Sequence, residues 1–176
     1  LNVRHGELKV SSLINNLKAD LNHATFLANS IDGDKTSVNA SYGSVFIKKW
    51  QLGSLKLKFV ENALLQDVNG LILNSNSSNI GIDKLSGNAV LSGSFGDLVI
   101  HNVSENFNNL NITLDNSDAA IKLPLGDFNL QYQGKQSQLQ HPKNKEGQNV
   151  SSFRLGSLNS AKTIAINARY SKVVME

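Results

Sequence analysis

The feature that most constrains this chain is a short apolar pattern that returns along its whole length. Val45 and Ile47 stand two positions apart, and Trp50 follows three positions later. Ten copies of this spacing, two of them degenerate or truncated, begin at Leu8, Phe26, Val45, Ala63, Ile80, Leu98, Ala119, Ser137, Phe153 and Val173. The period is about 18 residues, and units of such length must stack on their neighbours to bury their apolar faces.

Most copies are preceded by a pair of residues that predicts a corner. Tyr42–Gly43 and Phe95–Gly96 show the pair in its full form, an aromatic residue followed by glycine. The other pairs are His5–Gly6, His23–Ala24, Ser77–Ser78 and Tyr170–Ser171. A small residue suits a sharp turn of the backbone or a close approach of neighbouring turns. Each unit is therefore expected to contain two period-two strands separated by this corner.

These features predict an all-β fold, a β-solenoid of about ten rungs of roughly 18 residues each. A β-sandwich is the alternative, because it also has many short strands joined by turns, although it needs no constant period. We expect a single domain over residues 1–176. Residues 133–151 are polar, contain proline and glycine, and predict an irregular exposed loop.

The composition removes several function classes. The chain has no cysteine and a net charge of +3 with scattered lysines, so we expect no thiolate metal site and no nucleic-acid partner. No apolar run is long enough to span a membrane. We expect no cofactor, no metal and no catalytic residue. The chain begins at Leu1 rather than Met, which we interpret as a mature or trimmed form, so a missing signal peptide does not argue against export.

The chain resembles the bacterial adhesin-like proteins of the domain-of-unknown-function class. The resemblance rests on aromatic–Gly corners followed by alternating apolar residues, as in VRHGELKV, ASYGSVFI and SGSFGDLVI, and on the closing NARYSKVVME. It covers essentially the whole chain. It implies an exported β-solenoid, periplasmic, on the cell surface or extracellular, with a role in adhesion or at the cell envelope. It supplies no catalytic residues.

One predicted column of outward side chains is apolar and forms the candidate binding site. Leu27, Phe46, Leu64 and Val99 each follow the first residue of a copy by one position. Alternation directs them away from the core, and Gly81 interrupts them. A stripe of large apolar residues on an outer face suits another protein surface. The alternative is that a loop of the same chain covers it.

Two charged columns offer alternatives that involve chemistry. Asp97 and Asp118 would lie on adjacent rungs, at a separation that suits a retaining glycosidase. Asp also stabilises turns directly after a corner, which needs no catalysis. Asp83, His101 and Lys122 form a second column, either a proton-transfer group or ordinary surface pairing.

The leading hypothesis is a non-catalytic exported scaffold that presents an extended β face to a protein or glycan partner at the cell surface. The alternatives are a carbohydrate-active enzyme that uses Asp97 and Asp118, and a structural module whose apolar stripe forms a homodimer.

Overall fold

Alternating inward and outward side chains place most of the chain in β-strands. The computed structural model describes residues 1–13, 15–142 and 149–176, and these ranges contain no α-helix. The strands are β1 (Asn2–Val3), β2 (Gly6–Val10), β3 (Lys18–Asn22), β4 (Ala24–Ile31), β5 (Thr36–Ser41), β6 (Ser44–Lys58), β7 (Asn62–Asn76), β8 (Ile80–Ile100), β9 (Val103–Ile121), β10 (Asn129–Lys135), β11 (Gln138–Gln140), β12 (Ser152–Gly156), β13 (Thr163–Arg169) and β14 (Lys172–Met175). The all-β prediction is confirmed.

The strands stack in parallel into a coil with two main faces. Face A consists of β2, β4, residues 44–50, 62–68, 80–85, 96–100 and 117–121, then β14 and β11. Face B consists of β1, β3, β5, residues 53–58, 70–76, 88–94 and 109–115, then β13, β10 and β12. Parallel stacking of this kind is that of a β-solenoid, whereas the alternative, a sandwich, is built from antiparallel sheets.

The coil has about six turns, so the predicted count of ten was wrong. Face B advances by six successive parallel pairings, from Asn2 opposite Asp20 to Ala89 opposite Leu110. The later copies of the apolar spacing are not further turns of this series. Phe153 lies in β12, which pairs antiparallel with β10. The same apolar spacing occurs in the closing strand β12 and in the parallel turns. Because spacing alone does not reveal strand direction, this copy was counted as a further turn.

The order of the strands changes after β9. The next strand on face B is β13, with Thr163 opposite Asn109, and β10 follows with Asn129 opposite Thr163. On face A, β14 lies between β9 and β11 in the same way. The C-terminal strands are therefore inserted between β9 and a pair of strands that precede them in sequence.

A column of buried serine side chains joins the strands at this insertion. The N–H of Ser117 donates to the Oγ of Ser171 at 3.1 Å, and the N–H of Ser171 donates to the Oγ of Ser137 at 3.1 Å. All three serines are buried. Each hydroxyl also donates to the carbonyl two residues earlier, as Ser171 does to Arg169 at 2.9 Å. Buried backbone N–H groups need such acceptors, and the serines satisfy them without a strand ladder.

The predicted corners are present, but the sharp turn lies one residue earlier than expected. The residues with left-handed φ values of 50–55° are His23, Tyr42, Phe59, Ser77, Phe95, Asn116, Gln136 and Tyr170. The small residue that follows is needed for a different reason. A Cβ added to Gly43 would lie 2.0 Å from the carbonyl oxygen of Ala24 on the preceding turn. The corners at Phe59, Asn116 and Gln136 were not predicted; Phe59 is followed by Val60, which is not small, and the other two positions carry no aromatic residue.

The aromatic corner side chains stack on one another outside the coil. The ring centroids of His23 and Tyr42 lie 4.9 Å apart, those of Tyr42 and Phe59 lie 5.0 Å apart, and both pairs are nearly parallel. His5 adjoins His23 at 5.5 Å. Because the ring faces contact each other, only the edges of the inner rings are open to a ligand.

The interior is one continuous cluster of the inward-facing residues. Trp50 is its largest member, and its Nε1–H donates to the carbonyl of Gly70 at 3.1 Å. Burial of a large apolar side chain contributes about 1.5–3 kcal/mol, so stacking supplies what a single turn lacks.

The segment 133–151 differs from the predicted irregular loop. Its first residues complete β10, and β11 follows with Leu139 fully buried. This strand carries the degenerate copy that begins at Ser137, where a serine that bonds to the backbone takes the place of an apolar residue. Residues 143–148 lie outside the described residues.

Candidate functional site

The outward column of face A is a continuous apolar stripe. Register places Leu27 beside Phe46, Phe46 beside Leu64, and Leu64 beside Gly81. Farther along, Val99 lies beside Ala120, and Ala120 beside Val174. We define the apolar stripe as Leu27, Phe46, Leu64, Gly81, Val99, Ala120 and Val174. Lys9 and Gln140 are the next residues at its two ends.

The two turns that β8 supplies lie next to each other, so the stripe is not broken at Gly81. The N–H of His101 donates to the carbonyl of Ile82 at 2.9 Å, and the N–H of Leu85 donates to that of Asn102 at 2.9 Å. These bonds align residues 80–85 with residues 98–103 and bring Val99 to the level of Gly81. A Cβ added to Gly81 would lie 2.8 Å from Leu64 Cδ2, so the leucine side chain partly covers the glycine.

The structure places all four residues of the predicted site in this stripe and adds two that were missed. Phe46 is 37 % exposed and Leu64 49 % exposed, while Leu27 and Val99 are half-buried. Ala120 and Val174 obey the same rule as the others, since each follows the first residue of a copy by one position. Ala120 is small and Val174 belongs to a truncated copy, so neither was recognised.

The surface of the stripe contains two depressions. A shallow groove of about 400 Å³ lies over Leu27, Phe46 and Leu64, with Lys9 and Lys48 on its edge. A second depression of about 280 Å³ lies over Gly81 and Val99. Large side chains occupy one half of the stripe and small ones occupy the other half.

Polar columns border the stripe on both sides. Asp97 and Asp118 stand two residues before it, and His101 and Lys122 stand two residues after it. His101 Nδ1 lies 3.7 Å from Asp83 Oδ1, and both side chains are more than half exposed. Exposed ion pairs contribute little to stability, so this column has the character of surface pairing.

Asp97 and Asp118 are neighbours in register, as predicted, and their column bonds to the backbone. Asp118 Oδ1 accepts the N–H of Lys172 at 2.8 Å. Asn79 occupies the same position one turn earlier, and its Oδ1 accepts the N–H of Asp97 at 3.1 Å. Side-chain oxygens beside a corner thus hold the next turn in register, which is the local bonding typical of Asn and Asp.

Face B carries a different kind of feature that the sequence did not reveal. Arg169 and Asp115, on adjacent strands, form a two-pronged pair, with Arg169 Nε 3.0 Å from Asp115 Oδ1. The hydrogen bond from Arg169 lowers the pKa of Asp115. A groove of about 510 Å³ lies beside the pair. The partners are 54 residues apart in sequence, and only the inserted position of β13 brings them together.

No cluster of potential metal ligands accompanies these features. Among residues 1–13, 15–142 and 149–176, no three His, Asp or Glu side chains are grouped so as to hold a metal ion. His5 and His23 belong to the stacked corner rings.

Comparison of the chain with protein-family models, with curated proteins and with solved structures found no match. Over the described part of the chain, no helix has the length and apolar character needed to cross a membrane.

Proposed function

We propose that this protein is an exported, non-catalytic scaffold that uses the apolar stripe as a docking surface at the cell envelope or outside the cell. The observation that carries the proposal is the continuity of the stripe over seven adjacent positions without a polar residue. At roughly 4.8 Å per strand, it is about 29 Å long. Contiguous exposed apolar surface marks interaction sites in soluble proteins.

The opposite face supports the choice of surface. Its exposed apolar residues Ile72 and Val90 are neighbours, but Ser54 and Asn111 border them on either side. Face A therefore differs from face B in the length of its apolar column. The apolar stripe fits a protein surface better than a glycan, because Phe46 is the only aromatic ring in it.

A docking assay with matched variants tests this function. Labelled purified protein is added to intact cells that express the full-length protein, and bound label is measured. Phe46→Asp with Leu64→Asp should reduce binding at least about tenfold, which corresponds to about 1.4 kcal/mol. Ile72→Asp with Val90→Asp adds the same charge to face B and should bind like the wild type. Equal binding by both folded variants would overturn the proposal.

Export rests on the resemblance to adhesin-like proteins and has a test of its own. Intact cells that express the full-length protein are treated with protease, and released peptides from residues 133–151 are measured. Release from intact cells supports a position on the cell surface. Release only after the outer barrier is opened supports a scaffold inside the envelope, and protection until the cytoplasm is opened contradicts export.

Catalysis by Asp97 and Asp118 is the alternative, and we propose instead that this column maintains strand register. The bond from the Lys172 N–H to Asp118 supports that role. Replacing both aspartates with alanine decides between the two, because alanine removes the carboxylate and also the side-chain oxygen that accepts the backbone N–H, as asparagine would not. Loss of glycan cleavage with unchanged stability would favour an enzyme, whereas reduced stability with no cleavage in the wild type favours the role in register.

A further inference from the structure

We infer that the partner of the apolar stripe is a second copy of this chain, packed side by side with the two coils parallel. The inference rests on the proposed docking function and names its partner. It comes from the charges on the two borders of the stripe. Two consecutive turns of face A carry opposite charges at positions i and i+4, Asp118 with Lys122 and Lys172 with Glu176; the turn before them has Asp97 and His101 at the same positions, and His101 adds a charge only when it is protonated.

The sign of this pairing changes along the stripe, which makes it specific. The acidic residue stands before the stripe on the turns of Val99 and Ala120, and after the stripe on the turn of Val174. All these charged side chains are exposed. Asp118 Oδ1 accepts one backbone N–H, which leaves its other carboxylate oxygen for a further partner.

A two-fold axis along the coil, through the contact, satisfies every one of these charges. With such an axis, each turn of one copy contacts the same turn of the other copy. The residues before the stripe in one copy then face the residues after the stripe in the other. Asp118 then faces Lys122 of the second copy, and Lys172 faces its Glu176, each pair occurring twice. The less charged turns match as well, with Ser44 opposite Lys48. No like charges meet between Leu27 and Val174. One turn beyond Leu27, Lys9 faces Lys9 of the second copy, and each lysine is paired with Glu7 of its own chain at 2.7 Å.

The antiparallel arrangement gives a worse result. A two-fold axis across the coil must pass through Gly81 for the whole stripe to overlap. That axis would place Lys48 opposite Lys122 of the second copy. It would also place Asp83 opposite Asp83 of the second copy. Like charges placed opposite one another weaken an interface. The charge pattern therefore selects the parallel pair.

The size of the contact sets its strength. Three outward columns spaced two residues apart are about 17 Å wide with their side chains, so about 500 Å² of each copy is covered. The total of about 1,000 Å² lies at the lower limit for a specific interface. We expect a reversible dimer that is populated at protein concentrations of roughly 100 µM.

Cross-linking tests the geometry directly, because the chain has no cysteine of its own. In the parallel pair Val99 faces Val99 of the second copy, at a sheet separation of about 10 Å. Val99→Cys should therefore give covalent dimers with a short bis-maleimide. Val90→Cys, exposed on face B, measures random collision. In the antiparallel pair Val99 would face Leu64, so cross-linking only between Val99→Cys and Leu64→Cys chains would overturn the inference.

A charge variant gives a second, independent measurement by sedimentation. Lys122→Glu places a negative charge opposite Asp118 of the other copy, and this contact occurs twice in the dimer. The variant should therefore weaken the dimer about tenfold. Lys56→Glu makes the same change on face B and should leave it unchanged. A monomeric wild type at roughly 100 µM would overturn the inference. Binding of labelled protein to cells that lack it would then leave the docking function standing, whereas no binding to any cells would overturn both.

Discussion

Ser171 offers a direct test of the inserted C-terminal strands, because its hydroxyl bonds to the turn on one side of the insertion. Its Oγ accepts the Ser117 N–H at 3.1 Å and donates to the Arg169 carbonyl at 2.9 Å. Ser171 is 6 % exposed and Ser117 4 % exposed, so water cannot readily replace the lost acceptor. A buried N–H left without an acceptor costs about 1–3 kcal/mol. We expect Ser171→Ala to lower the free energy of unfolding by about 2 kcal/mol.

Urea denaturation monitored by the fluorescence of Trp50, the single tryptophan, measures this loss. For a chain of this size, a loss of about 2 kcal/mol also lowers the Tm by roughly 4–8 °C. Ser152→Ala is the matched control, because Ser152 is exposed at the closing strand β12. A Ser171→Ala chain within about 0.5 kcal/mol of the wild type, the range of ordinary surface changes, would refute the bonding described at the insertion.

Two further predictions concern ionisable groups. The Tyr132 hydroxyl is buried with no hydrogen-bond partner among the described residues, and burial raises its pKa above 10.0. Tyr132→Phe should therefore raise the free energy of unfolding by about 1 kcal/mol. As the pH rises above 10.0, the wild type should lose more stability than the variant, and a lower Tm for the variant would contradict this. Because Arg169 lowers the pKa of Asp115 below 3.8, this pair stabilises the fold above that pH and the effect is lost as the pH falls through the lowered pKa. Asp115→Asn should flatten the acid limb of a plot of Tm against pH, and an unchanged limb would argue against the pair.

The sequence was sufficient for those features that depend on neighbouring residues. The alternation around Val45 and Ile47 gave the strand and its inner face, and the regular period gave the stacking of each unit on its neighbours. The Tyr42–Gly43 pair revealed a corner, although the left-handed residue proved to be the tyrosine. The same alternation put Leu27, Phe46, Leu64 and Val99 on an outer face. Each of these follows from period-two geometry, which acts within a few residues.

The order of the strands after β9 depends on distant residues, and it could not be predicted from the sequence for a physical reason. Every turn presents the same kind of inner surface, so β9 could stack equally well on β10 or on β13 as far as apolar spacing is concerned. In the observed order the N–H of Ser117 bonds to Ser171, and this bond joins residues 54 positions apart. The extension of the stripe to Val174 depends on that order.

The sequence by itself therefore determined the period, most of the strands and corners, and the direction in which the side chains of those strands point. Only the tertiary structure decided the number of turns, the insertion of β13 and β14, and the Arg169–Asp115 pair. Local alternation sets which face a residue occupies, because successive side chains of a strand point to opposite sides. Which turns become neighbours is decided by the hydrogen bonds and packing formed when the whole coil closes at its end.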